Sequence, residues 1–461
     1  MKILTADFGS TYTKLTAIDT QHATILGTAN AFTTIDTDII HGFRTAMSQL
    51  EAAIGVFEYD RLLCCSSAGG GLKMVALGLV PELTAKAARM AASSAGAKVI
   101  KTYAFEISKQ EQDEIYAIRP DLVLLCGGTD GGNKEVIIAN ARRLCAIDCD
   151  FTVVIAGNKS ASHELEEIFA HSGKDYVLTD NVMPTFNKLN ITSAKQSIRE
   201  VFIRKIIDAK GLSGIQKMSS NDIIPTPLAV MNACELFSKG TANTAGIGEF
   251  IAADLGGATT DIYSMAEGSP TLENVLIKGL PEPFSKRTVE GDLGMRYSLG
   301  ALQEEAGSQV LEAESGLSQE QIQQWLAYCI ANPSTLAPAG SAEEQLEELL
   351  AKKAIEIAVE RHCGSIERSF TPMGEIYVMT GKDLSDIDCI IGIGGSLVNS
   401  KHPEAILDGA KYNPQKFHFM KPKKPRYYLD KKYIFASMGL LSTVDPELAL
   451  HFMKEEIKLI Q

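Results

Sequence analysis

The chain of 461 residues carries a formal net charge of −13, and 45% of its residues are hydrophobic. That length allows two or three domains with a large core, and the composition excludes collagen-like, mucin-like and low-complexity chains. The excess of acid leaves no basic face to neutralise phosphates, which excludes a general nucleic-acid binder, and no apolar run approaches the length that spans a bilayer.

The chain opens on a strand, so no signal peptide is expected ahead of it. In LTADFGSTYTKLTAID, from Leu4 to Asp19, apolar residues alternate with polar ones on either side of Gly9, Ser10 and Thr11, which predicts a hairpin whose glycine supplies backbone freedom at the turn. Asp7 sits just before that turn, where an aliphatic residue would cost less to fold, so a polar hairpin tip does not by itself account for it. HATILGTANAFTT, from His22 to Thr34, reads as a third strand. DIIHGFRTAMSQLEAAIG, from Asp38 to Gly55, reads as an amphipathic helix ended by glycine, and RLLCCSSAGG as a buried strand running into Gly69 and Gly70.

From Leu79 to about Asn187 helices and short apolar strands alternate. VPELTAKAARMAASSAG, SKQEQDEIYAIR, NKEVIIANARRLCAI and SASHELEEIFAHSG predict helices, while AKVIKTYAFEI, PDLVLLCGGTDGG and FTVVIAGN predict strands. The last two strands run into glycine, as central parallel strands do, so residues 79–187 predict an inserted α/β domain of the flavodoxin-like kind. Its CGGTDGGN loop, residues 126–133, reads either as a tight strand-to-helix turn or as an anion site at a helix N-terminus.

The second half starts over. GEFIAADLGGATTDIYSMAEG, from Gly248 to Gly268, repeats the scheme of the first hairpin: strand, Asp, apolar residue, Gly, small residues, hydroxyls, strand. VEGDLGMRYSLGALQEEAG then leads into helix, Ser318 to Arg368 reads as mostly helical, and SAEEQLEELLAKKAIEIAVERH runs from acidic to basic, which suits a helix dipole. DCIIGIGGSLVNS is a buried strand ending in a glycine turn, and IFASMGLLSTVDPELALHFM predicts one glycine-containing terminal helix. The predicted organisation is therefore residues 1–78, a first domain interrupted by the insertion at 79–187; 188–247, its return and a hinge; 248–434, a second domain with a helical insertion around 300–368; and 435–461, a C-terminal hinge helix.

Two equivalent hairpins, one from each half, would grip a polyphosphate between their backbone N–H groups and hydroxyls. The phosphate-binding residues are then Gly9, Ser10, Thr11, Thr13 and Lys14 in the first, and Gly256, Gly257, Ala258, Thr259 and Thr260 in the second. Asp7 and Asp254 would each hold Mg2+ through its waters, and Asp254 would orient or deprotonate an attacking water.

These residues resemble the actin, Hsp70 and sugar-kinase superfamily of ATPases. DFGSTYTK is similar to its first phosphate motif and DLGGATTD to its second. IIGIGGSLVN resembles its adenosine motif, with Gly392, Gly394, Gly395 and Ser396 as adenosine-binding residues and Gly394 and Gly395 letting the backbone approach the nucleotide. PTPLAVMNACELF, from Pro225 to Phe237, and FASMGLLS, from Phe435 to Ser442, stand where the two hinge helices belong. The resemblance implies duplicated actin-like, ribonuclease H-like α/β domains around a nucleotide cleft.

Within that superfamily LTADFGSTYTKLTAID, CGGTDGGNKEVIIANARRL and TVEGDLGMRYS resemble the GlmL/MutL family, the proteins encoded beside coenzyme-B12-dependent glutamate (methylaspartate) mutase and unrelated to the mismatch-repair MutL. The last stretch adds Gly291 and Asp292 to the adenosine site, although Asp292 reads equally as a helix cap. The resemblance implies a cytoplasmic ATPase with ATP/ADP and Mg2+ as cofactors, acting as a reactivating factor or chaperone on mutase subunits, with or without a small accessory subunit. No bound cobalamin or iron–sulfur cluster is expected in the chain itself. A small-molecule kinase is the alternative, although no stretch identifies a second substrate pocket. An electron-transfer activator would need cysteines paired for a cluster, and the nine here are odd in number, scattered and without a C-x-x-C, as in a reducing compartment. Nothing favours a filament former.

Overall fold

The computed structural model describes residues 1–34, 38–67, 73–208, 212–372 and 374–460; the predicted approach to Gly69 and Gly70 lies outside them. The elements begin β1 (Lys2–Phe8), β2 (Tyr12–Asp19), β3 (Thr24–Phe32), α1 (Ile39–Ile54), β4 (Arg61–Ser66), β5 (Lys73–Gly78), α2 (Lys86–Ser94), β6 (Lys98–Ala104) and α3 (Lys109–Ile118). They continue β7 (Leu122–Leu125), α4 (Glu135–Cys145), β8 (Thr152–Ile155), α5 (Ser162–Ser172), β9 (Tyr176–Leu178), α6 (Thr192–Asp208), α7 (Leu212–Met218), β10 (Ile224–Pro225) and α8 (Thr226–Lys239). The second half runs β11 (Phe250–Leu255), β12 (Thr260–Met265), β13 (Val275–Ile277), β14 (Ser285–Glu290), α9 (Leu299–Ala306), α10 (Ser308–Ser315), α11 (Gln319–Ala331), α12 (Ala342–His362), β15 (Ser365–Thr371) and β16 (Gly374–Thr380). It ends β17 (Cys389–Ile393), α13 (Gly395–Val398), α14 (Pro403–Leu407), β18 (Arg426–Asp430), α15 (Phe435–Leu441), α16 (Pro446–Glu456) and β19 (Ile457–Leu459). Two compact units result: Met1–Gln21, Ala29–Ala229 and Gly279–Pro281 in the first, His22–Thr28, Val230–Lys278 and Glu282–Gln461 in the second, so the chain passes from one to the other within α8.

The first unit holds a mixed sheet in the order β10-β4-β1-β2-β3. Its middle strand β1 is antiparallel to β2 and parallel to β4, which is parallel to β10. Asp38 caps α1 by accepting from Ile40 N at 2.9 Å, and Phe43, Ala46 and Leu50 bury one helix face in the cluster of Leu4, Ala6 and Leu15. A second sheet, β6-β5-β7-β8-β9, is wholly parallel. Alternate residues of β5 face opposite layers: Met74 and Ala76 pack with α2 and α6, Val75 and Leu77 with α4 and α5. A strand covered on both faces reads as a short apolar run without alternation, as β7 and β8 do; β5 is not among the predicted elements, because its run continues through Leu79 and Val80 into the next segment without a turn to close it. Helix α6 places Ala194, Ile198 and Val201 in the core of this second sheet and Phe202 in the core of the first.

The second unit repeats the strand order of the first mixed sheet, as β14-β12-β11-β17-β18, and extends it by β19. Again the middle strand, β11, is antiparallel to its hairpin partner β12 and parallel to β17, which is parallel to β18. Helix α12, capped by Ser341 and carrying Glu343 and Glu344 in its first turn and Arg361 and His362 in its last, buries Leu346, Leu350, Ala354 and Ile355 against this sheet. Two predictions give way here. The long helix ends at His362, where the run SAEEQLEELLAKKAIEIAVERH ends, but the mostly helical region stops there too and does not reach Arg368, because Gly364 breaks it and Ser365–Thr371 pairs with β16 in a separate three-stranded sheet, β13-β16-β15. The terminal helix is two helices, because Asp445 caps a new start at Pro446, a residue that suits a first helical turn and not a helix interior. No helix among the described residues is long and apolar enough to cross a membrane.

Beneath this sheet lies a buried polar cluster. His362 places Nδ1 2.9 Å from Thr288 Oγ1 and Nε2 2.8 Å from Ser264 Oγ, and burial, with the charges of Lys286 and Lys382, holds its pKa well below the ordinary histidine range. Lys382 is 1% exposed and donates to the Phe284 carbonyl at 2.7 Å. Burial, reinforced by Lys286, pulls its ammonium down to about 7, against the opposing pull of Glu282, Glu249 and Glu267. An unfolded lysine titrates near 10.4, so between about pH 7 and pH 10 the unfolded chain binds a proton that the folded chain does not, and stability rises with pH across that window. Lys382→Met removes this coupling. In urea unfolding at about pH 7, 8 and 9 the wild type should gain on the variant by on the order of 1 kcal/mol per pH unit; parallel profiles would show that Lys382 stays charged.

Candidate functional site

In each unit the chemistry-bearing residues gather on the hairpin that starts its mixed sheet. In the first, the last strand pair is Phe8↔Thr13, and Gly9 N donates to Tyr12 O at 3.0 Å across the four-residue loop. In the second, the last pair is Leu255↔Thr260, and Gly256 N donates to Thr259 O, again at 3.0 Å. Neither glycine adopts a left-handed φ. What stands against a side chain is space: a Cβ on Gly9 would lie 2.7 Å from Tyr12 O, too close to fit, and one on Gly256 3.0 Å from Thr259 O, a tight contact. The expectation of backbone freedom at Gly9 is thus corrected to one of close approach.

Asp7, next to the last residue of β1, is almost fully buried and firmly held. Thr226 Oγ1 donates to its Oδ1 at 2.6 Å, Cys65 Sγ approaches the same oxygen at 3.5 Å, and Lys14 Nζ lies 3.7 Å from Oδ2. Burial, then the charge of Asp7, keeps the Cys65 thiol far above its ordinary pKa, so it stays protonated and serves as a donor. Thr226, the first residue of α8, is 219 residues away in sequence and was not among the predicted site residues; no local pattern marks it. The predicted hydroxyls divide. Thr13 is fully buried and shares a hydrogen bond of 3.1 Å with Thr33, so it braces the sheet. Thr11 keeps its chain near β3 through Thr33 N donating to its carbonyl at 2.8 Å, while its Oγ1 is buried with no hydrogen-bond partner among the described residues. A buried hydroxyl left unsatisfied is costly, and it fits a ligand oxygen at the tip.

The second hairpin is built to turn its amides outward. Met295 N donates to Gly256 O at 3.0 Å, Arg296 N and Tyr297 N donate to Gly257 O at 2.8 and 2.9 Å, and Ala258 O faces Ser298 Oγ at 3.3 Å. The described peptides are all trans, so carbonyls tied back at 256, 257 and 258 send the N–H groups of Gly257, Ala258 and Thr259 to the opposite side. Three neighbouring amides facing one way make a concave anion seat. Thr260 is buried and donates to Leu293 O at 2.7 Å, and Thr259 Oγ1 donates to Asp261 at 2.9 Å. Asp261 in turn is matched by Arg287, whose Nε lies 2.8 Å from its Oδ1. Burial works against that guanidinium charge, and Asp261 more than restores it, so its pKa is raised. Asp254, half-buried, pairs in register with Asp261 and, on its other side, with Ile393 of β17.

That last pairing brings the glycine turn after β17 beside the hairpin. Gly394 has φ +113°, and a Cβ there would lie 2.3 Å from Leu255 O. Gly392 sits inside β17, where a Cβ would press on Leu397 and Leu407 at 3.0 and 3.1 Å. Both are therefore glycine for reasons internal to the sheet. Gly395 differs: a Cβ would meet only the Tyr433 hydroxyl at 3.6 Å and Asn399 Nδ2 at 3.8 Å. Ser396 follows it half-buried in α13. Gly291 accepts from Ser298 Oγ at 2.7 Å and so belongs to the hairpin support. Asp292 is no helix cap, because α9 starts at Leu299 after Ser298; it ion-pairs Arg361 at 2.8 Å, which also holds Glu290 and Glu305. The support segment is thus fastened to α12 by Arg361, and a second time by Arg296, which donates to Pro333 O and Thr335 O and lies 3.5 Å from Glu347. Among the described residues no group of three or more His, Cys, Asp or Glu is placed to hold a metal ion directly.

The sequence model described as MutL protein matches residues 3–457. Protein MutL of Clostridium tetanomorphum is 45% identical over 454 residues, covering 98% of this chain and 98% of that protein. Among solved structures, a glycerol dehydratase reactivase is 9% identical with a TM-score of 0.35, covering 96% of this chain and 99% of that one. The ligand-bound xylulose kinase of Lactobacillus acidophilus is 10% identical with a TM-score of 0.34, covering 100% and 93%.

Proposed function

This chain belongs to the MutL family of glutamate mutase-associated proteins, distinct from the mismatch-repair protein of that name, and from that premise we propose that it is an ATP-dependent reactivating factor for a coenzyme-B12-dependent mutase. The observation that carries the proposal is the repeated hairpin. Two copies of one Asp-turn-Thr unit, closed by the same glycine hydrogen bond, supply fixed carboxylates and backbone donors of the kind that binding and cleaving a polyphosphate requires. The shared strand order of the two mixed sheets supports duplicated actin-like domains, and the order β6-β5-β7-β8-β9 supports a flavodoxin-like insertion.

In this reading the amides of Gly257, Ala258 and Thr259 seat phosphate oxygens, and Ser10 and Thr11 offer hydroxyls from the first hairpin. Asp7, fixed by Thr226, Cys65 and Lys14 in its own unit, would help hold Mg2+ there, as Asp254 would in the other, and the Thr11 hydroxyl, without a hydrogen-bond partner among the described residues, is the feature that fits a bound guest. Bound magnesium would neutralise charge on the phosphates. Asp254 orients or deprotonates the attacking water. Adenosylcobalamin enzymes carry a radical on a loosely held adenosyl group, and its loss strands a dead cofactor in a closed site. ATP binding and hydrolysis would favour different arrangements of the factor and so release that cofactor.

The test is rescue. A cobalamin mutase blocked with hydroxocobalamin receives this protein, magnesium, ATP and fresh adenosylcobalamin, with ATP turnover followed in parallel. Recovery that requires hydrolysable ATP is the expected result. Turnover without recovery of glutamate mutase would overturn the partner and return the kinase reading.

A further inference from the structure

Between Tyr297 and Ala351 the sequence holds nine Glu and no Lys, Arg or His. Helices α9, α10 and α11 of this stretch bury Leu302, Leu311, Ile322 and Leu326 in the core of the second unit and turn their other sides to solvent. Arg296, Lys353, Arg361 and Lys401, all from outside the stretch, pair with four of the nine acids. Glu304 on α9, Glu312 on α10 and Glu320 on α11 are exposed and have no ion pair among the described residues. Large apolar side chains are exposed on the same stretch, Tyr328 at 52% and Leu336 at 63%. Beside Tyr328, with ring centroids 5.8 Å apart, stands Trp325, the only tryptophan of the chain. Its ring packs part-buried on the core, and its N–H is buried without a hydrogen-bond partner among the described residues. Phenylalanine would fill the core there without leaving a donor unsatisfied, so packing alone does not account for the indole. Aromatic ring faces and carboxylates share one chemistry: both attract cations.

We propose that the outer side of α9, α10 and α11 docks a partner protein through a basic amphipathic segment. Its Lys or Arg side chains meet the Trp325–Tyr328 ring pair and the carboxylates of Glu304, Glu312 and Glu320, and its apolar side chains cover exposed residues such as Leu336. Charge selects that occupant. Nucleic acid and anionic lipid are repelled by a stretch without a single base, and a second copy of this chain brings the same net charge of −13. The surface lies wholly in the second unit and needs nothing from the nucleotide reading.

The experiment titrates the full chain with a synthetic amphipathic helix of about 18 Leu and Lys residues, free of aromatic side chains, and with the same helix carrying Gln for Lys. Calorimetry gives affinity, and the emission of Trp325, the only tryptophan, reports where binding occurs. The Lys peptide should shift that emission and the Gln peptide should not. Glu304→Gln, Glu312→Gln and Glu320→Gln combined should weaken binding about tenfold at low salt. Tyr328→Ala, at an exposed helical site, should melt like wild type and bind about fivefold more weakly. Glu58→Gln, Glu82→Gln and Glu273→Gln combined make the same change in net charge at exposed acids elsewhere and should leave affinity unchanged. An equal loss in that control would reduce the effect to net charge and overturn the inference. So would a Lys peptide that binds without moving Trp325 emission, or equal binding of the Gln peptide. An emission shift with anionic phospholipid vesicles would give the face to a membrane instead, and self-association in sedimentation that Tyr328→Ala abolishes would give it to a second copy; either outcome overturns the proposal.

Discussion

Asp254→Asn should slow ATP turnover by at least about a hundredfold while leaving ADP affinity within a few-fold of wild type. The substitution keeps size and removes one negative charge. In the proposed site amides and hydroxyls would hold the phosphates in the ground state, and the variant retains them. The charge matters when water is deprotonated or aligned, so the loss falls on the chemical step, and a hundredfold corresponds to about 2.7 kcal/mol of barrier. The neighbouring acid does not take over, because Asp261 is committed to Arg287 and Thr259. Initial rates of phosphate release and ADP calorimetry decide it: hydrolysis at the wild-type rate would remove the second hairpin from the reaction.

Gly394→Val should cost the second unit its fold, not merely its ligand. A side chain there would be driven into the Leu255 carbonyl from a Cβ position 2.3 Å away, on a backbone at φ +113° that suits only glycine. The two penalties together are on the order of 4 kcal/mol or more, a large part of what holds a domain together. Gly395→Val, one residue on, has room for its Cβ and should fold while binding ADP poorly. Circular dichroism melts and calorimetry of the two variants separate these outcomes. A folded Gly394→Val protein that lacks only nucleotide affinity would mean that Leu255 can yield and that the glycine serves the ligand.

That pair shows where sequence patterns inform and where they stop. The hairpins were legible because their signal is local: an acid and a glycine set into strand alternation, twice, with Asp7 and Asp254 247 positions apart. The alternation of helix and strand in the insertion was legible for the same reason. The glycine turn at 394 was recognised as special, but the cause assigned was a ligand, whereas the nearest obstacle is a carbonyl on a strand about 140 residues earlier. Thr226 on Asp7 and Arg361 on Asp292 are likewise contacts made by the fold, which spacing along the chain does not encode. Strand β5 escaped because its apolar run merges with Leu79 and Val80 of the following segment, and β15 because it follows a long helix without a change in polarity.

The insertion also bears on how the chain finds its structure. Strands β4 and β10 pair, and the Leu62–Ser220 hydrogen bond beside them closes a loop of 158 residues. Most of that loop is the parallel sheet and its helices, ending in α6, which also reaches the core of the first sheet. Once the parallel sheet has formed, only a few tens of residues remain free to wander, and the entropy of closing the loop falls by about 1 kcal/mol. The inserted sheet is then a splint. If it forms before that pairing it shortens the search by which β10 reaches β4, and mutations that weaken it should then slow folding of the sheet that carries Asp7 without touching that sheet's native contacts, which stopped-flow refolding of such variants would test.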